Sequence, residues 1–281
     1  MSPRPIEPPL TLENSGYLSV FSLGTGGAFT KKLYQNNYLI IKGTQHVLID
    51  CGTKATQGLV ELGLAPTKIQ TLLITHSHAD HVGGLEELAL MGRYVTKQKP
   101  KIVITETYEQ QLWNNTLKGG CAYNERIGNK LLSFDDLFEP LRPTPYTGLQ
   151  RDAWEIDLGN LNLILFRTKH IPDSSKTWKD SGHSLGCIVD RRFFFSGDTR
   201  FDPELVEDVM NHFPIELAFH DVQFYPGGVH ASFDELCALP DSFKSKCYLM
   251  HYPDTYKEKE QQVKDQGFLG FVQPHSFYDF H

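Results

Sequence analysis

The stretch Thr75-His76-Ser77-His78-Ala79-Asp80-His81 constrains this chain more than any other, because it sets four metal-seeking side chains directly after the apolar run Thr71-Leu72-Leu73-Ile74. The apolar run reads as a short buried strand, and Val82-Gly83-Gly84-Leu85-Glu86-Glu87-Leu88 reads as the start of a helix. The metal-seeking residues therefore fall on the connection between them. In an extended segment His76 and His78 project to the same side, while Asp80 and His81 turn toward a second point a few ångströms away. Imidazoles combined with a carboxylate suit a borderline-soft divalent ion such as zinc; a hard, oxygen-only cage for calcium or magnesium would not use the histidines.

The pattern His-x-His-x-Asp-His resembles the signature of the metallo-β-lactamase superfamily of hydrolases. Downstream, His170 follows the apolar run Leu161 to Phe166, Asp198 lies in Ser196-Gly197-Asp198-Thr199, and His251 ends Tyr248-Leu249-Met250-His251. That order is the one the superfamily uses for its remaining ligands. The resemblance implies an α/β fold, a four-layer αβ/βα sandwich in a single domain over residues 16–281, preceded by an N-terminal surface segment over residues 1–15. It also implies two metals at the open edge between the sheets, zinc or alternatively manganese. His76, His78 and His170 would hold one, Asp80, His81 and His251 the other, and Asp198 would bridge them.

A chain of 281 residues, 40% of them hydrophobic, can bury a large core. Its 27 basic and 34 acidic residues give a formal charge of -7, the wrong sign for a protein whose main partner is a nucleic acid backbone. Five cysteines, Cys51, Cys121, Cys187, Cys237 and Cys247, are odd in number and widely spaced. They read as reduced packing residues of a cytoplasmic protein. No apolar run is long enough to span a bilayer, and the proline-rich start lacks the marks of a signal peptide.

Along the chain, the prolines of residues 1–15 exclude helix and central strand, so the segment is expected to lie along the surface or to be loosely ordered. Gly24-Thr25-Gly26-Gly27 reads as a tight turn, since no P-loop or dinucleotide fingerprint is completed. Asn37 to Ile41 and His46 to Ile49 read as strands ending at Asp50. That carboxylate is equally an acceptor for a ligating histidine's other ring nitrogen or a helix N-cap. Helices are predicted over Ala55 to Leu64, Val82 to Arg93 and Glu106 to Leu117. From Gly119 to Asn160 periodicity weakens, the mark of a functional or mobile loop. Ile171 to Leu185 is a polar insertion and a candidate lid, with His183 a candidate substrate contact.

Ala218-Phe219-His220-Asp221 and Val229-His230-Ala231-Ser232 resemble elements of the ribonuclease Z branch and related phosphodiesterases, in which a carboxylate orients a histidine that protonates the leaving oxygen. Carried over, Asp221 orients His230, with Asp standing where the family pattern has Glu. The competing reading makes His230 a cap for a helix from Phe233 to Leu239. Transfer-RNA processing relatives carry a long arm between their third and fourth metal motifs, whereas only 27 residues separate His170 from Asp198 here. Transfer RNA is thus the less favoured partner. The pattern resembles instead the armless cyclic-nucleotide phosphodiesterases, including those of anti-Pycsar defence. The expected activity is hydrolysis of a small phosphodiester, 3′,5′-cyclic nucleotides first, with Asp80, His230 and Asp221 as catalytic residues. A transfer-RNA 3′ endonuclease, a thioester or lactone hydrolase and an idle binding module are the alternatives, and a homodimer is left open.

Overall fold

Short runs rich in β-branched and aromatic residues become strands, and these assemble into two eight-stranded sheets. The computed structural model describes residues 1–281. The first sheet takes β1 (Arg4–Pro5), β2 (Leu18–Gly24), β3 (Asn37–Lys42), β4 (Gln45–Ile49), β5 (Thr71–Leu73) and β6 (Lys101–Val103). A separate hairpin of β7 (Arg126–Ile127) and β8 (Lys130–Leu131) follows, and β9 (Glu139–Leu141) returns to the first sheet. The second sheet comprises β10 (Thr144–Pro145), β11 (Ala153–Leu158), β12 (Leu161–Arg167), β13 (Leu185–Val189), β14 (Phe193–Phe195), β15 (Leu217–Asp221), β16 (Cys247–Met250) and β17 (Gly270–Phe271). The last strand, β18 (Ser276–Phe280), crosses back to lie between β1 and β2.

Each sheet is an antiparallel meander that becomes parallel: β4, β5, β6 and β9 in the first, β14 to β17 in the second. Parallel neighbours require crossovers, and parallel strands present their C-terminal ends along one edge, where ligands of open α/β sheets bind. Side chains alternate along each strand, so Val20 faces one core and its neighbour Phe21 another. Three apolar clusters result. One lies between the sheets, joining Tyr38, Ile40 and Val47 to Leu165, Phe195 and Phe219. A second packs Leu59, Leu85, Leu88 and Leu112 on the outer face of the first sheet. The third packs Leu205, Val209, Leu236 and Val263 on the outer face of the second. Three cores between four layers make the αβ/βα sandwich expected from the sequence.

Phe219 sits at the centre of the inner core, its ring 4.9 Å from those of Phe193 and Tyr278 and 5.4 Å from that of Tyr38. Phe219→Ala is expected to cost about 3–5 kcal/mol of unfolding free energy, the usual range for a buried aromatic truncated to a cavity. Urea denaturation checks this, as a lowered midpoint with an unchanged slope; a shift under about 1 kcal/mol would mean that the core collapses freely around the gap.

Residues 1–15 lie along the surface, one of the two states expected: Arg4–Pro5 adds an edge strand to β18, where proline's missing N–H costs nothing, and Leu10 is buried in the outer core of the first sheet. Two expectations are corrected. Residues 119–160 are not one long loop, because they contain β9 and the six-residue β11. The strand β11 alternates Trp154, Ile156 and Leu158 toward the inner core with Glu155 and Asp157, a period-2 signal hidden among surrounding prolines and glycines. The helix expected over Val82 to Arg93 is split into Ala79–Val82 and Leu85–Met91. The break falls at Gly84, where a Cβ would stand 2.6 Å from the Gly52 carbonyl oxygen.

Candidate metal centre

The residues singled out in the sequence come to one place from opposite halves of the chain. Thr75 to His78 leave the C-terminal end of β5, and Asp80 and His81 ride on the short helical turn Ala79–Val82. From the second sheet, His170 follows β12, Asp198 follows β14, Asp221 ends β15 and His251 follows β16. Donor atoms of His76, His78, His170 and Asp198 form one group, and those of Asp80, His81, Asp198 and His251 another, all within 4.8 Å inside each group. Asp198 is common to both. Its Oδ2 lies 3.2 Å from His81, 3.5 Å from His251, 3.8 Å from His76 and from His170, and 3.9 Å from His230.

Most of this cluster is buried, with His78 the exposed member. Buried charges must be paired or coordinate an ion, and here Asp50, Asp80, Asp198 and Asp221 are all buried together. Burial opposes ionisation of Asp80, yet His81 and His251 hold its carboxyl far below the usual range. Burial pushes His170 down to about 4, and burial with the neighbouring His81 pushes His76 lower as well, so both rings present free lone pairs, as ion ligation requires. His81 Nε2 lies 3.1 Å from Asp80 and 3.2 Å from Asp198. Yet this nitrogen and Asp198 Oδ1 have no hydrogen-bond partner. Such convergence of nitrogen and carboxylate donors, with His81 Nε2 and Asp198 Oδ1 left without partners, fits a divalent cation.

The supporting contacts were only partly foreseen. Asp50 is an acceptor and not a helix cap: its Oδ2 lies 2.6 Å from His81 Nδ1, while the helix at Ala55–Glu61 takes Lys54 as N-cap. Thr75 fixes that carboxylate twice, through its backbone N–H at 2.8 Å and its hydroxyl at 2.9 Å. Asn37 was missed in the sequence; its amide accepts from Gly52 N–H and donates to the Asp80 carbonyl, joining β3 to the helical turn. A Cβ on Gly52 would stand 2.1 Å from that same carbonyl oxygen, so only glycine allows the approach. His170 Nδ1 donates to the Val229 carbonyl at 2.9 Å, a backbone contact that no sequence motif announces. Asp50 and His251 adopt positive φ, 62° and 60°, a conformation that costs side-chain-bearing residues free energy and clusters at functional sites.

Beside the cluster, His230 Nδ1 lies 2.8 Å from Asp221 Oδ2, so the shorter Asp reaches. Asp221 is held by the Thr199 N–H and lies beside His220. Burial disfavours a charged His230, but Asp221 and Asp198 outweigh it and raise its pKa. The helix cap alternative fails, since Ser232 caps Phe233–Leu236 with a complete capping box. Asp202 likewise caps Pro203–His212, leaving Asp198 free of that role.

The insertion after His170 is pinned to the body. Arg167 donates to the carbonyls of Ser181 and Gly182, and Arg200 donates to that of Ser175. It divides two clefts that open beside the histidines. One, of about 570 Å³, meets His230 and is lined by Lys169, Lys176, Lys179 and Arg200. The other, of about 260 Å³, meets His76, His78 and His170. His183 lines the smaller one, half-buried, stacked on Tyr108 at 4.1 Å and 7°. Burial and then the Arg167 charge push His183 down to about 3, leaving it neutral. The four cysteines Cys51, Cys121, Cys187 and Cys247 are buried and free, Cys237 is free and partly exposed, and no helix is long and apolar enough to cross a membrane.

Comparison with known proteins agrees with this geometry. The family described as "Anti-Pycsar protein Apyc1" matches residues 18–278. The anti-Pycsar protein Apyc1 of Paenibacillus harenae is 37% identical over 258 residues, which cover 92% of this chain and 98% of that protein. That of Bacillus phage vB_BsuM-Goe3 is 36% identical over 245 residues, covering 84% and 89%. Among solved structures, the metallo-β-lactamase fold protein YhfI from Bacillus subtilis has a TM-score of 0.68 at 13% identity, covering 94% of this chain and 100% of that one. A diphosphatase from the PhnP family matches with a TM-score of 0.68 at 14% identity, covering 94% and 98%. At such identities the structures establish the fold, a metallo-β-lactamase sandwich.

Proposed function

The chain belongs to the anti-Pycsar Apyc1 family, and from that premise we propose that it is a dinuclear phosphodiesterase that opens 3′,5′-cyclic nucleotides. It is a metal-dependent hydrolase; the substrate, the two-ion count and zinc as the ion are the proposal. Residues 16–281 act as one hydrolase domain. The observation that carries the reading is the Asp221–His230 pair, at 2.8 Å, standing beside two donor groups that share Asp198. A thioester expels a thiolate and needs no positioned acid for its leaving group, whereas a ribose alkoxide benefits from one.

His76, His78 and His170 would hold one ion and Asp80, His81 and His251 the other, with Asp198 available to each group. Bound there, two divalent ions supply charge neutralisation for the phosphate and lower the pKa of water. Asp80 orients the attacking water from the buried side of the site. His230, its Nδ1 engaged by Asp221, delivers a proton to the departing ribose oxygen. Asp221 fixes that ring and stabilises its charged form. His183 contacts the substrate from the smaller cleft. Asp50 holds His81 in the orientation and tautomer that direct its Nε2 inward.

The test is an activity panel on the purified chain supplied with zinc or manganese: cyclic nucleotides, an aryl phosphodiester, precursor transfer RNA and a thioester. Turnover of cyclic nucleotides and aryl phosphodiester, with neither of the others, is expected. Turnover of precursor transfer RNA or of the thioester alone would overturn the proposal. A further expectation concerns Asp50→Asn, which keeps the shape but weakens the bond to His81. Metal affinity, read by competition with a chromophoric chelator, is expected to fall about 10- to 100-fold, as when the partner of a ligating histidine is lost; unchanged affinity would return Asp50 to a role in folding alone.

A further inference from the structure

We propose that the smaller cleft is a nucleobase pocket, with Gln111 and Asn115 reading the base edge and the His183–Tyr108 pair forming its stacking floor. The inference rests on the cyclic-nucleotide reading above and adds the part of the substrate that does not react. The cleft lies against His76, His78 and His170, so a phosphate placed over the histidines sets its attached nucleoside within reach.

Its lining includes no lysine, arginine, aspartate or glutamate. The larger cleft, with Lys169, Lys176, Lys179 and Arg200, is the one suited to charge. A neutral cleft with amides on its wall suits a neutral group that both donates and accepts, and a heterocyclic base is such a group. An acyl chain would ask for apolar walls and a second phosphate for cations. The volume, about 260 Å³, falls just under the range usual for drug-sized ligands. That space is on the scale of one base with part of its sugar.

The local backbone explains why these side chains share one wall. Glu106–Leu112 is α-helical and passes directly into a π-turn over Trp113–Leu117. At α spacing Tyr108, Gln111 and Asn115 lie at i, i+3 and i+7 on one face, and the wider turn brings Thr116 to the same wall. Gln111, Asn115 and Thr116 are exposed. Tyr108 is buried, and its hydroxyl lies 3.1 Å from Ser77 Oγ, inside the metal-seeking loop. His183 lies flat upon it, with Nε2 buried and without a partner. The stacking floor is therefore in register with the histidines at which the phosphate reacts. Base–aromatic stacking tolerates every base, and the amides add the discrimination.

The experiment measures steady-state kinetics of wild type, Gln111→Ala, Asn115→Ala and the double variant on the four 3′,5′-cyclic nucleotides and on bis(p-nitrophenyl) phosphate, which has no base. Each single variant is expected to raise KM about 3- to 10-fold on the preferred nucleotide, the worth of one hydrogen bond, with kcat little changed. The ranking of the four bases is expected to shift, and the aryl diester to be cleaved as by wild type. Both positions are exposed on a helix, and an unchanged melting temperature checks that the variants fold. Equal losses on nucleotides and aryl diester, or an unaltered base ranking with unchanged KM, would overturn the pocket alone. A wild type that cleaves the aryl diester but no cyclic nucleotide would overturn the functional reading, and the pocket with it.

Discussion

Asp198→Ala is expected to abolish loading of both ions and to reduce phosphodiester turnover by more than about 10³-fold, beyond the loss from removing a single preorganised electrostatic contact. The reason lies in its position. One oxygen, Oδ2, stands within 3.2 to 3.9 Å of five imidazoles, and Asp198 alone belongs to both donor groups. Without it each group keeps three donors, but the negative charge that lets two cations share a small volume is gone. The fold should survive, because the inner core of Tyr38, Phe195 and Phe219 is built from apolar contacts and not from the carboxylate. Elemental analysis of protein purified without chelators, together with circular dichroism, checks both halves. Two ions retained per chain would contradict the bridging role.

The second large effect separates phosphodiester chemistry from other hydrolysis on this fold. His230→Ala is expected to slow cleavage of a cyclic nucleotide by about 10²- to 10⁴-fold, the range for loss of a general acid. On a nitrophenyl phosphodiester, whose leaving group departs without a proton, the loss should be far smaller. Asp221→Asn should repeat the pattern more weakly, since it weakens the bond at 2.8 Å that fixes the ring but leaves the acid itself in place. Neither variant is expected to change metal content. Equal losses on both substrates, or lost metal, would make His230 a supporting residue and favour the thioester or lactone reading.

What could be read from the sequence was whatever is local or periodic. The strand Thr71–Leu73 and the motif after it are contiguous, so the loop that brings His76, His78, Asp80 and His81 together announces itself. The positions of His170, Asp198 and His251 after strands came from resemblance, since nothing local says that three strands end at one point. Three kinds of feature stayed hidden. The strand β11 has clear alternation but sits among turn residues that mask it. Asp50 could have capped a helix or held a histidine, and only the start of the helix at Ala55 decides between them. Contacts through backbone carbonyls, such as Val229 with His170, and between side chains distant in sequence, such as Tyr108 with His183, carry no residue-type signature at all.

The central claim is that this metal centre opens a cyclic phosphodiester. Phosphorus NMR of a 3′,5′-cyclic nucleotide incubated with the chain follows that step directly, because the ring diester and the opened monoester give separate signals. Conversion of the diester signal to a monoester on addition of zinc or manganese, halted by a chelator and absent with Asp198→Ala, is the predicted result. A diester signal that persists with metal-loaded wild type, while a thioester or precursor transfer RNA is cleaved under the same conditions, would contradict it.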